Sequence, residues 1–276
     1  MATDISTETL PQHHPIYRES EPQAVRELIR RGEWSFYTKG LAMGFTQANL
    51  VVLPKADALE FLVFCQRNPK PCPLLEVLDV GDGEPREFAP GADLRTDVPL
   101  YRVYRHGELS DETDTLSEYW RDDLVTFLLG CSFTFEHPLM AAGIRLKHWE
   151  LSCNVPMYVT NRACKPAGCF EGPMVVSMRP IPQSQVVHTV QITSRFPAVH
   201  GAPVHVGDPL ALGIDDLQKP DFGDPLPLEP DEVPVFWACG VTPQAVMVQT
   251  RPDIALTHAP GHMFITDRRE RDLMAW

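Results

Sequence analysis

At 276 residues the chain is long enough for one large domain or two intertwined subdomains around a substantial core. Hydrophobic residues at 43% and charged residues at 22% exclude a disordered chain. No apolar run nears the ~20 residues that span a bilayer. A net charge of −13 argues against a nucleic-acid surface, and it means that an anionic substrate must be met by a local cluster of arginines.

The opening stretch "MATDISTETLPQHHP" lacks a basic region followed by an apolar one, so residues 1–16 read as a polar, frayed leader rather than a secretory signal. Seven cysteines without a C-x-x-C pair then read as reduced thiols of a cytoplasmic protein. The 27 prolines, mostly beside short apolar runs, imply many short elements joined by tight turns. Ser20 opens the first predicted helix, "SEPQAVRELIRRG", with Gln23 placed as in a capping box and Gly32 as its stop. "NLVVLP" reads as a buried strand and "KADALEFLVFCQRN" as a helix with a wide apolar face. "CPLLEVLDVGDGEP" gives a strand and a turn, and "VPLYRVYRHGE" a further strand. "SEYWRDDLVTFLL" predicts an amphipathic helix ending at Gly130, and "FEHPLMAAG" a second helix just after it. "IRLKHWEL" alternates as strands do, and "VPMYVTN" and "GPMVVSMRP" are further strands. "SQVVHTVQITSRF" predicts a helix despite its β-branched residues. "VPVFWACG" is a strand, "TPQAVMVQT" a short helix and "HMFITD" a last strand, with an acidic, proline-rich surface loop at 215–234. Both element types alternate, so the fold class is mixed α/β.

Three loops carry residue types that suit chemistry. In "GCSFTFE", Gly130 can end a helix in the left-handed conformation, and Ser132 or Thr134 can cap the next one. The same geometry turns backbone N–H groups outward as an oxyanion site and sets Cys131 where a helix end lowers a thiol pKa. It also puts Glu136 in the first turn. Plain capping and an active-site loop fit these residues equally well. In "TSRFPAVHGAPVHVGDP", Arg195, His200, His205 and Asp208 alternate with glycine and proline, as on a fixed loop that presents functional side chains. Histidine suits acid–base work, and two histidines with Asp208 also suit a metal ion. In "FWACGVTPQ" a strand runs into Gly240, followed by Thr242 as an N-cap and Pro243 at the first helical position, another anion-binding geometry. His258 and His262 flank a Pro-Gly turn, while Arg95 and Asp97 in "DLRTDVP" and Arg179 in "VVSMRP" complete the residues suited to handling a carboxylate. The pair Cys164 and Cys169 has half a zinc spacing and no second half.

Seven stretches in one order, "QANLVVLP", "GCSFTFE", "NVPMYVTN", "VVSMRP", "HGAPVHVGDP", "FWACGVTPQ" and "HAPGHMFITD", resemble the D-glutamate cyclase family over residues 17–267. The resemblance implies a compact α/β fold of two interlocked subdomains with mixed sheets. It also implies a carbon–oxygen lyase of amino-acid metabolism that adds or removes water, interconverting D-glutamate and 5-oxo-D-proline or acting on a related small carboxylic acid. Residues 268–276 lie beyond the resemblance and read as a tail.

Ring closure of D-glutamate needs a cation for the α-carboxylate, a base for the amine, donors for the tetrahedral oxyanion and an acid for departing hydroxide. Arg179 or Arg195 suits the first role, with Arg95 the third arginine in reach of the argument, and His200 or His205 suits the base. Backbone N–H groups near Cys131 and Ser132 suit the oxyanion, and Glu136 suits the acid if burial raises its pKa. Cys131 also suits a nucleophile in the ring-opening direction. Asp208, Gly240, Thr242 and His258 are expected to line the substrate. No metal, cofactor, nucleic acid or membrane is expected; the partner is a small anionic substrate, and self-association stays open. Two other readings also stay open: a metal-dependent hydrolase built on His200, His205 and Asp208, and a non-catalytic regulatory protein that binds a carboxylate. An active site requires the loops around Cys131, His200 and Gly240 to converge on one pocket with at least one of Arg95, Arg179 and Arg195.

Overall fold

The computed structural model describes residues 19–275, so the expected leader at 1–16 lies outside the described residues. Strand β1 (Phe45–Pro54) is buried along its whole length and is the spine of a seven-stranded sheet. Its alternate residues serve two cores, Ala48, Leu50 and Val52 one, Val51 and Leu53 the other, as the two-residue period of a strand requires. One edge of β1 pairs with β5 (Leu124–Gly130) from Ala48 to Pro54. The other edge is shared: β11 (Phe264–Arg269) covers Phe45 to Ala48, and β10 (Ile254–His258) covers Val51 and Val52. β2 (Leu74–Val77) lies outside β5, while β3 (Tyr101–Arg105) and β4 (Glu108–Thr113) extend the sheet beyond β10.

A second sheet runs in the order β6–β7–β9–β8, from β6 (Met157–Ala163), β7 (Pro173–Pro182), β8 (His205–Val206) and β9 (Glu232–Ala238). Every strand pairing among the described residues is antiparallel, which corrects the expected mixed sheets. The mixed α/β class stands, with α1 (Pro22–Arg30) on β11 and α2 (Lys55–Arg67) burying Phe61 and Phe64 against Phe127 and Phe170. α3 (Glu136–Ala141), α4 (Lys147–Glu150) and α5 (Val186–Ser194) surround one face of the second sheet around Phe135, Trp149 and Trp237. The second sheet is an insertion in the first. The chain leaves the first sheet at the end of β5, builds β6 to β9, and returns through α6 (Thr242–Thr250) to β10 and β11.

Three predicted elements change. The segment before Gly130 is a strand: Val125, Phe127 and Leu129 fill one core, Leu124 and Leu128 the other. A strand buried on both faces has no polar side, so its apolar run imitates a helix. "IRLKHWEL" ends in a helical turn because His148 and Trp149 both bond Glu136; consecutive residues of a strand point to opposite faces and cannot do this. α1 begins at Pro22 with Glu21 as N-cap, and Gln23 reaches forward to Glu27 instead of closing a capping box. The segment beyond 267 completes β11, sets Leu273 and Met274 against the Phe135 cluster and donates Ala275 N–H to the Arg195 carbonyl at 2.7 Å.

Candidate active site

The two points where the chain changes sheet lie side by side. Gly130 ends β5 without the left-handed conformation expected of a helix stop. Its glycine identity answers a close approach instead, since a Cβ there would stand 2.0 Å from the Ala198 carbonyl oxygen. A Cβ on Gly240 would stand 2.0 Å from Nδ2 of Asn49, a β1 side chain lodged between the crossings. Asn49 Nδ2 donates to the Gly130 carbonyl at 2.5 Å. The crossings enclose a small cavity lined by Asn49, Cys131, Ser132, Cys239, Gly240 and His258, with Phe133, Asn154, Val155, Met157, Val241, Gly261 and Met263 completing the wall. The cavity is about 20 Å³, room for roughly one water.

Two of the lining residues carry side-chain donors. Ser132 Oγ accepts from Arg179 Nη2 at 3.0 Å, which leaves the hydroxyl proton free to be offered elsewhere. His258 Nδ1 lies 3.0 Å from Leu50 N–H and 3.3 Å from the Leu50 carbonyl; the shorter contact, in which Nδ1 accepts, puts the ring proton on Nε2. That Nε2 is buried and has no protein partner. Burial, aided by His262 and Arg102, lowers the His258 pKa to about 4, so the ring is neutral at neutral pH. Burial also pushes the Cys131 thiol far up, against the small opposing effect of Phe133 N–H, and it pushes Cys239 to about 11. The expected acidic Cys131 is therefore corrected: desolvation outweighs the end of the 3-10 turn at Ser132–Phe135.

Behind Ser132 stands a buried ionic cluster. Glu136 accepts from Arg179 Nη2 at 2.5 Å, from His148 Nε2 at 2.9 Å and from Trp149 Nε1 at 2.6 Å. Arg179 also donates to Ser177 and packs between Phe135 and Trp237. Burial alone would raise the Glu136 carboxyl, but His148 and Arg179 more than offset it and hold it at about 2. Glu136 is thus a standing carboxylate walled in by donors, and the expectation of a raised pKa and an acid role is corrected.

The remaining predicted residues separate. His200 is buried beside Gly130, in the left-handed conformation, with Nδ1 bonded to the Lys70 carbonyl at 2.7 Å, and it is not on the cavity wall. His205 Nε2 bonds the Asp208 carbonyl at 2.7 Å, and the exposed Asp208 carboxylate caps a turn through Leu210 N–H at 3.0 Å. The three do not assemble a ligand set, and no group of three or more His, Cys, Asp or Glu is arranged for a metal ion among the described residues. Arg95 is exposed and paired with Asp93 at 2.8 Å, and Arg195 sits on the exposed C-cap of α5. Asp97 is buried against Arg30 at 2.7 Å. Thr242 does not cap α6; its hydroxyl accepts from Val175 N–H at 3.0 Å and pins α6 to β7. The expected convergence is met only in part: the loops at Cys131 and Gly240 share the cavity, but His200 lies off its wall and no arginine lines it, Arg179 standing one contact behind Ser132. Of the lining residues that the sequence reading does not single out, two are central. Asn49 hides in an apolar strand, whereas Cys239 carries a signal: a Cys–Gly pair after a strand, mirroring Gly130–Cys131.

The chain is thus a two-sheet antiparallel α/β protein with a small, mostly apolar-walled cavity where it crosses between the sheets. The chain belongs to the D-glutamate cyclase family, whose profile matches residues 125–267. That span includes every sheet-2 strand, both crossings and His258. Over 257 residues the chain is 62% identical to a protein of Stutzerimonas stutzeri named "Putative hydro-lyase", covering 93% of this chain and 97% of the relative. Relatives with the same description in Geobacillus kaustophilus (63% over 248 residues, 90% and 94% covered) and Bacillus pumilus (59% over 258 residues, 94% and 98% covered) are similar throughout. No helix among the described residues is long and apolar enough to cross a membrane.

Proposed function

We propose that the protein is a hydro-lyase that interconverts D-glutamate and 5-oxo-D-proline, or a closely related acid and its lactam, at the cavity between Cys131, Gly240 and His258, which must widen from its one-water volume to admit the substrate. The observation that carries the reading is the His258 Nε2–H, buried without a partner on a residue that lines the cavity together with Ser132. An unmatched buried donor costs about 1–3 kcal/mol, a loss recovered when a ligand oxygen accepts from it. Two donors on one oxygen make an oxyanion site. Asn49, its Nδ2 held by Gly130, keeps Oδ1 as an acceptor, so the wall complements the C=O and N–H of a lactam. No lysine or arginine lines the cavity, and Arg179 behind Ser132 is already balanced by Glu136, so the N-terminus of α6 is the positive end left to meet the carboxylate.

Proton NMR of the purified protein with both enantiomers of glutamate and 5-oxoproline tests this. Turnover of the D-pair is expected. His258→Asn keeps an acceptor for Leu50 N–H and removes the Nε2 donor, and its kcat/KM should fall by about 10²–10³-fold. Because His258 stays neutral down to about pH 4, kcat/KM should show no inflection near the usual histidine range. Saturable binding of either compound without turnover would instead mark a carboxylate-binding protein, and no binding at all would sink the reading.

A further inference from the structure

The two crossings present the same group. Cys131 stands just past the end of β5 and Cys239 just past the end of β9, both are free thiols, and both line the cavity into which His258 Nε2–H is buried. Their exposures are 5% and 7%, and each lies within electrostatic reach of the other. Among the described lining residues only Cys131, Cys239 and His258 are ionisable. His258 has Nδ1 committed to Leu50 N–H, so it can donate but has no open site to take a proton. Glu136 is shut behind Ser132 by its own donors.

Ring closure has a definite proton requirement. The ammonium nitrogen of glutamate carries three protons and the lactam nitrogen keeps one. The γ-carboxylate oxygen that departs takes up the other two and leaves as water. One C–N bond forms, one C–O bond breaks, and nothing is oxidised or reduced. Two protons must therefore cross from nitrogen to oxygen within the cavity.

We propose that Cys131 and Cys239 carry them, each thiol delivering its own proton to the departing oxygen as it accepts one from the substrate nitrogen. Each sulfur begins and ends as a thiol, so no standing thiolate and no co-reactant is needed. Burial, which keeps both thiols protonated at neutral pH, suits such a relay and would defeat a thiolate nucleophile. The inference rests on the lactam-forming reading above.

The test measures kcat, KM and melting temperature for Cys131→Ala, Cys239→Ala and the two serine variants, with D-glutamate and 5-oxo-D-proline. Each alanine variant should lose about 10²–10⁴-fold in kcat while KM and melting temperature stay near the parent values. Serine should restore part of the loss, because a hydroxyl also relays a proton. In mixed H2O and D2O the parent rate should curve with deuterium fraction, as for two protons in flight, and the alanine variants should approach linearity. Parent-like kcat in both alanine variants, or in both serine variants if the alanines do not fold, would overturn the relay and leave the lyase reading standing. An inert parent with either enantiomer of either compound would overturn both.

Discussion

Glu136 shows how far one residue's environment can reverse its chemistry. A first-turn carboxylate in a loop rich in hydroxyls and a thiol invites an acid role, yet three donors hold it ionised. Its work is to compensate Arg179, which is fully buried and in turn orients Ser132. Removing one member of a buried ion pair typically costs about 3–5 kcal/mol, because the other charge is left unmatched. Glu136→Gln should therefore lower the melting temperature by roughly 10 °C, read by calorimetry. A variant melting within a degree of the parent would show that Arg179 finds its balance elsewhere. None of this was legible in the sequence, since His148, Trp149 and Arg179 reach Glu136 only through the packing of α4 and β7.

At the scale of elements, the crossings depend on backbone approaching side chain with no room for a Cβ. Gly240→Ala would drive into Asn49 and loosen its bond to Gly130. Overpacking of this kind costs about 1–3 kcal/mol. Asn49→Ala removes the obstruction but takes away the amide from which the Gly130 carbonyl accepts at 2.5 Å. The double variant should be less destabilised than the sum of the singles, with a coupling of about 0.5–3 kcal/mol by urea unfolding. Strict additivity would mean that the two residues do not share the site. The loops themselves were readable from glycine, hydroxyl and thiol clusters, and most strands from their apolar runs. The identity of β5 was not, because a strand buried on both faces lacks the alternation that marks a half-exposed one. His258 was singled out for lying near a Pro-Gly turn, but its strand, β10, passed unread.

At the scale of the whole molecule, three buried groups act in one direction on the acid side, while the buried thiols are raised and matter only at high pH. His200 and His258 are lowered to about 4, by burial first, and Glu136 is lowered to about 2. Each binds fewer protons folded than unfolded. The histidines add stability above their unfolded value of about 6.5, and it drains away as pH falls toward 4; Glu136 adds stability above about 4.3 that is lost toward 2. The melting temperature should decline steadily below about pH 6.5, and His258→Asn should flatten the upper part of that slope. An unchanged slope in the variant would remove His258 from the account.

The insertion of one sheet into another also sets a timetable. β1 is synthesised long before the partners on its second edge, half of which is completed by Thr257 and Leu256 and the other half by residues 264–269. At roughly 5–20 residues per second, its last partners leave the ribosome roughly 10–40 s after it does. During that interval a ten-residue apolar strand waits with an open edge, the kind of template on which chains aggregate. Chains ended after Arg251 should accumulate as insoluble material however well β5 pairs with β1, and the yield of soluble protein should follow how well a chaperone shields "FTQANLVVLP" until β10 and β11 have been made.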